Sequence, residues 1–329
     1  MPVVRVGRGV TATVLRYERA GTGEPLLLVT GFAISSEIFT LMSDRFVDRF
    51  DTLRYDNRGS GRSAAPWRPT SMAELAGDAV GLLDALGIDS AHVYGLSMGG
   101  MIAQEIAIRF PHRVRGLVLG ATTPGGPRAV LPASLALAAL GSRGAPPRVR
   151  ANVVADALFS PEFRERNPDR VRAALTLLGR HRATLRGLNA HWWASFYHDT
   201  YARLPRIKAP TLVLHGERDL LTPPANARIL ATRIPDATLA VIPGAGHAYF
   251  VERPDESFAA FRDWLDRRGP IPAGPTPSAI ARAAEPITRA LGLPAGMMRT
   301  GRSMASLPGA YLNRMSRRAS GRSAGRRAY

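Results

Sequence analysis

Gly95-Leu96-Ser97-Met98-Gly99 sets a serine between two glycines, just after the apolar run His92-Val93-Tyr94 and before a helix-like segment from Met101 to Phe110. Strand, sharp turn and helix in that order lift a hydroxyl to the apex of a corner, the pattern of a nucleophile elbow. The glycines have a steric reason: so tight a corner tends to force its apex residue into a strained conformation, and its neighbours must lack bulk where strand and helix crowd together. A serine hydroxyl is a poor nucleophile at neutral pH. It needs a base to take its proton, and the base needs an acid to orient it. A Gly-x-Ser-x-Gly pentapeptide by itself is also compatible with a plain tight turn, so the reading depends on whether those partners follow.

They follow in order. Thr211–Gly216 reads as a strand, and Asp219 stands in the loop just past its end. Glu217 is the rival acid; Asp219 is preferred because the helix start at Pro223-Pro224 leaves the intervening loop free to present it. The last strand, Thr238–Ile242, leads into Pro243-Gly244-Ala245-Gly246-His247, and of the seven histidines only His247 follows a strand in the right position. The amide of Met98, at a helix N-terminus, faces the place where an oxyanion would form. A second amide would come from the loop Thr30-Gly31-Phe32-Ala33, with Phe32 the expected donor. Acyl transfer through these groups calls for no metal or organic cofactor.

The elements that must position these residues are legible from pattern. Val3–Val6 and Thr11–Tyr17 read as a hairpin across Gly7-Arg8-Gly9. Leu26-Leu27-Leu28-Val29 is a continuous apolar run, as expected of a strand buried on both faces. Phe50–Tyr55 and Val114–Leu119 read as further strands. Ser71 can cap a helix from Met72 to Leu86, ended by Gly87. Asp56 and Arg58, in the loop after Phe50–Tyr55, are expected to support the elbow. From Thr122 to Leu204 no strand pattern appears, and roughly 80 residues is too long for an ordinary loop. It reads as a helical cap. Within it Trp192, Trp193 and Phe196, with Tyr249 beside the histidine loop, are the candidate substrate contacts, although the three cap aromatics could equally form the cap's own core. His181, His191, His198 and His215 are expected to be structural or surface residues.

The 329 residues contain no cysteine, which excludes a disulfide framework and thiolate metal sites. Met1 to Gly21 lacks the basic-then-apolar order of a signal peptide, and no apolar run reaches spanning length; the expected compartment is the cytoplasm. Half of the net charge of +18 lies in residues 270–329, where ten arginines meet one acid, Glu285. After a Gly/Pro linker that segment reads as disordered or weakly helical. It is either a solvated tail or a reversible contact with an anionic membrane surface or nucleic acid.

The segments LLLVTGF, YDNRGSGRS, VYGLSMGGMIAQEIA, APTLVLHGERDLLTPPANA and IPGAGHAYFVERP, with the order Ser97, Asp219, His247, resemble the α/β-hydrolase fold superfamily over residues 10 to 268. Within it the chain is most similar to bacterial esterases and lactonases of the enol-lactonase, methylesterase and non-haem peroxidase-like kind. The resemblance implies an α/β fold: a mostly parallel eight-stranded sheet with helices on both faces and a lid after the sixth strand. Residues 1–121 and 205–268 would form the core, 122–204 the cap and 269–329 the tail. Thr30 departs from the pattern, since many relatives have histidine there, which puts the packing of that loop in question more than the chemistry. Serine at the elbow argues against the branches whose nucleophile is aspartate. The favoured activity is hydrolysis of a small-molecule ester or lactone. Perhydrolysis, C–C bond hydrolysis and acyl transfer by the same triad are alternatives, as is ligand binding without catalysis.

Overall fold

The computed structural model describes residues 2–132, 146–181 and 183–269. The expectations for residues 270–329 lie outside that set. β1 (Val3–Val6) and β2 (Thr13–Ala20) form an antiparallel hairpin, connected through a 3-10 turn at Gly9–Thr11 rather than a tight turn at Gly7-Arg8-Gly9. β2 starts later and runs further than its apolar pattern suggested, because Tyr17–Ala20 also pairs with the following sheet. Then come β3 (Glu24–Val29), β4 (Phe50–Tyr55), helix α1 (Met72–Ala85), β5 (Ala91–Leu96), α2 (Met98–Arg109) and β6 (Val114–Gly120). Ser71 caps α1 by accepting the Glu74 amide, as expected.

Between β6 and β7 (Thr211–Gly216) lies the long insertion, with α3 (Pro147–Leu158), α4 (Pro161–Arg166), α5 (Pro168–Arg180) and α6 (Leu185–Phe196). Proline opens α3, α4 and α5 at positions where the missing N–H costs nothing. Ser160 caps α4 and Thr184 caps α6. After β7 the chain forms α7 (Ala225–Arg233), β8 (Ala237–Ile242), the short α8 (Tyr249–Glu252) and α9 (Pro254–Arg268). The last two helices were not assigned from sequence. In α9 the buried positions Phe261, Trp264 and Leu265 recur at i, i+3 and i+4, the signature of a helix lying on a sheet.

The eight strands run in the order β1-β2-β4-β3-β5-β6-β7-β8, parallel from β4 onward. Alternation within β3 divides the core. Leu27 and Val29 join α1 and α2 on one face, while Leu26 and Leu28 join Phe261 and Trp264 of α9 on the other. The chain leaves β3 for β4 on one side of it, whereas β5 lies on its other side. The carboxyl ends of β3 and β5 therefore flank the crevice where open α/β sheets bind ligands. No described helix is long and apolar enough to cross a membrane.

Candidate active site

Ser97 stands at the mouth of that crevice with φ 57° and ψ −119°, a left-handed backbone that costs a residue with a Cβ on the order of 1–3 kcal/mol. From Ala91 to Gly100 it is the one residue that is not buried. Its neighbours are glycine because there is no room: a Cβ on Gly99 would overlap the Val29 carbonyl oxygen, and one on Gly95 would lie 2.7 Å from Ala103 Cβ. The corner is pinned by Ser97 N–H donating to Gly120 O at 2.8 Å and by Thr122 Oγ1 donating to Ser97 O at 2.7 Å.

Asp219 and His247 meet from the ends of β7 and β8. Nδ1 of His247 is 2.8 Å from Oδ2 of Asp219, whose other oxygen accepts the Leu221 and Thr222 amides at 2.9 and 2.7 Å. Burial works to raise the Asp219 pKa, but the charge of His247 and hydrogen bonds from His215 and His247 outweigh it and hold the group below its ordinary value. An ionised carboxylate only accepts, so Nδ1 of His247 carries the proton it shares with Asp219, and in the neutral ring Nε2 is then the acceptor. Glu217, the rival acid, is exposed and accepts the Gly244 amide. His215, expected to be structural, is fully buried with Nε2 3.2 Å from Asp219 Oδ2, so the acid sits between two imidazoles. Among the described residues no hydrogen bond joins the Ser97 hydroxyl to His247. Nucleophile–base contacts of this kind commonly tighten only around substrate. The two loops are nonetheless adjacent: a Cβ on Gly120 would overlap Tyr249 Oη and lie 3.2 Å from Leu96 Cδ1, which places residue 249 beside the residue before Ser97.

The histidine loop is tied to the insertion. Glu252 accepts Gly246 N–H at 2.8 Å and Ser160 N–H at 3.1 Å on one oxygen, and Ser160 Oγ–H at 2.5 Å on the other. Burial raises its pKa despite these bonds. Ala248 N–H donates to Leu158 O at 2.8 Å.

The loop after β3 is close to the serine from the other side, a Cβ on Gly31 falling 3.4 Å from Ser97 Cβ. Among the described residues neither the Phe32 nor the Met98 amide has an acceptor. Thr30 does not loosen this loop: Asn57 Nδ2 donates to its carbonyl at 3.1 Å and to its hydroxyl at 3.0 Å. Asp56 and Arg58 do not serve the elbow directly. Asp56 is buried and accepts Ser35 Oγ–H and Ser36 N–H from the β3 loop, while Arg58 pairs with Asp78 and Glu74 of α1. His191 of α6, read as structural, reaches the same loop and accepts the Ala33 amide at 3.1 Å. No local sequence signal marks that role.

The aromatic residues divide. Trp192 touches Phe32, ring centroids 6.5 Å apart. Trp193 and Phe196 pack instead on each other and on Tyr197, at the surface. The alternative that these aromatics form a core is overturned, for Trp192 and Trp193 are 42% and 43% exposed and Phe196 66%. The inward face of α6 is instead Gly187, Leu188, Ala190, His191 and Ala194, with Gly187 lying against Gly59. Tyr249 is corrected too. It is fully buried, with Oη 2.7 Å from Tyr94 Oη rather than exposed to the crevice.

A family model described as alpha/beta hydrolase fold matches residues 24–254. A 3-oxoadipate enol-lactonase of Acinetobacter baylyi is 30% identical over 259 residues, covering 77% of this chain and 94% of that protein. A pimeloyl-[acyl-carrier protein] methyl ester esterase of Chromobacterium violaceum is 30% identical over 258 residues, covering 77% and 98%. Among solved structures, the enol-lactonase from Burkholderia xenovorans superposes with a TM-score of 0.70 at 27% identity, covering 80% of this chain and 100% of that one.

Proposed function

The chain belongs to the α/β-hydrolase fold family, and from that premise we propose that it is a serine hydrolase cleaving a carboxylic ester or lactone of a small molecule. One observation carries the reading. A serine held in a left-handed conformation at the end of β5 shares its sheet edge with a buried Asp219–His247 pair 2.8 Å apart. Relatives named for methyl ester and enol-lactone hydrolysis support the substrate class.

In this reading His247 Nε2 takes the Ser97 proton as Oγ bonds to the substrate carbonyl carbon, and the carbonyl π pair moves onto its oxygen. The Met98 and Phe32 amides receive that charge, and Asp219 stabilises the imidazolium. Collapse of the tetrahedral centre breaks the ester C–O bond and His247 returns the proton to the leaving oxygen; in a lactone that hydroxyl stays tethered to the acyl group. Water, deprotonated by His247, then attacks the acyl-enzyme and releases the carboxylic acid and Ser97. In this reading the insertion acts as a cap over the crevice, and Trp192, which packs on Phe32, is the aromatic substrate contact it supplies.

Ser97→Ala is expected to lower kcat on p-nitrophenyl acetate by about 10⁴ to 10⁶ and to abolish labelling by a fluorophosphonate probe. A folded Ser97→Ala protein with wild-type rates would overturn the assignment.

A further inference from the structure

Helix α6 turns one histidine inward. His191 is fully buried, and each ring nitrogen engages the main chain of a different core loop: Nδ1 accepts Ala33 N–H at 3.1 Å, and Nε2 lies 2.7 Å from the Arg58 carbonyl. The partners fix the tautomer, since an amide needs a bare acceptor and a carbonyl needs a donor; the proton is on Nε2. Burial drives the His191 pKa down to about 4, which keeps the ring in the neutral form that can accept. Ala33 has φ 57°, a left-handed conformation that a residue with a Cβ keeps only where its surroundings impose it. The Phe32 ring packs edge-on against the same imidazole, centroids 6.1 Å apart. The close approach of α6 depends on Gly187, where any Cβ would overlap the Gly59 carbonyl oxygen.

We propose that His191 is a positioning residue for the oxyanion donor: by holding the Ala33 amide it fixes the backbone of Phe32, so that the insertion completes the catalytic site as well as covering it. The inference rests on the serine hydrolase reading above. The Ala33 amide belongs to the peptide unit that directly follows Phe32. Releasing it frees Phe32 to rotate and turns its own N–H away from the developing oxyanion. A misplacement of about 1 Å costs on the order of 10²-fold, and loss of an oxyanion donor 10²- to 10³-fold.

Two variants separate the two bonds. In His191→Asn the side-chain oxygen takes the place of Nδ1 and can still accept from Ala33. In His191→Gln the amide nitrogen takes the place of Nε2 and serves Arg58 only. With p-nitrophenyl acetate, His191→Gln is expected to lower kcat by at least about 30-fold with KM within about twofold, and to weaken phenylboronic acid, which mimics the tetrahedral adduct on Ser97, by a similar factor. His191→Asn should stay within about threefold of wild type. Equal losses in the two variants, or a change in KM alone, would overturn the proposal. Should the glutamine variant not fold, the wild-type protein provides the test: the ¹⁵N resonance of His191 Nδ1 should move when phenylboronate adds to Ser97, and a resonance that stays put refutes the coupling. Full activity in Ser97→Ala would instead sink the hydrolase reading beneath it.

Discussion

Ser97 is held from within the sheet, whereas the loops that carry Phe32 and His247 are held partly from the insertion. At the elbow the contacts are mostly backbone on backbone, Gly99 against Val29 and Ser97 N–H on Gly120 O, with one side chain, Thr122, donating to Ser97 O. At the other two loops side chains carry much of the contact, His191 on Ala33 and Glu252 bridging Gly246 to Ser160, beside one backbone bond from Ala248 N–H to Leu158 O. Backbone contacts admit almost no variation in residue type, while side-chain braces can be exchanged. The serine corner is thus fixed by the sheet, whereas the loops on either side of it depend on what is inserted after β6.

The largest test of this contrast removes the acid's charge. Asp219→Asn should lower kcat by about 10⁴, because a carboxamide no longer enforces the Nδ1–H tautomer of His247; steady-state rates on the same ester measure it. Next, Gly99→Ala should cost about 3 kcal/mol or more in urea unfolding, since a Cβ there meets rigid carbonyls of β3. Gly187→Ala, equally crowded against backbone but at the edge of the insertion, should cost less than Gly99→Ala because the helix end can shift. Equal costs would erase the distinction between core and insertion. Glu252→Ala should lower kcat by about tenfold to 10²-fold through a looser histidine loop. Glu252→Gln, which can still accept both amides and donate to Ser160, should recover most of that.

A pH dependence is located in the insertion and the turn that follows α6. Burial holds His191 and His198 down to about 4, against an ordinary 6.5. Between those values the unfolded chain binds protons that the folded protein does not. Stability is therefore complete above pH 6.5 and is lost as pH falls toward 4. Neither ring nitrogen of His198 has a partner among the described residues, so His198→Leu should flatten the urea midpoint between pH 6.5 and 4. An unchanged slope would place the dependence elsewhere.

Much of the scaffold was readable because its signals are local. The apolar runs of β3, β5 and β7, the Ser71 cap and the glycines around Ser97 each state their conformation within a few residues. The short α8 has only four residues to show a period, whereas α9 does carry a start signal in Pro254, Asp255 and Glu256. The aromatic run at Trp192 to Tyr197 was ambiguous for a different reason: its pattern defines helix faces, but not which face the rest of the molecule covers.

The sequence by itself determined which side chains could do the chemistry and in what order they come, since a strained corner, strand ends and glycine-flanked loops leave marks in residue type. Tertiary structure alone decided what holds them: that Asp219 lies between two imidazoles, that Tyr249 is fully buried against Tyr94, and that His191 reaches the Phe32 loop across 158 residues of chain and Glu252 reaches Ser160 across 92. Such bonds are made by chain closure around the whole core, and a histidine or glutamate carries no local periodicity that names its partner.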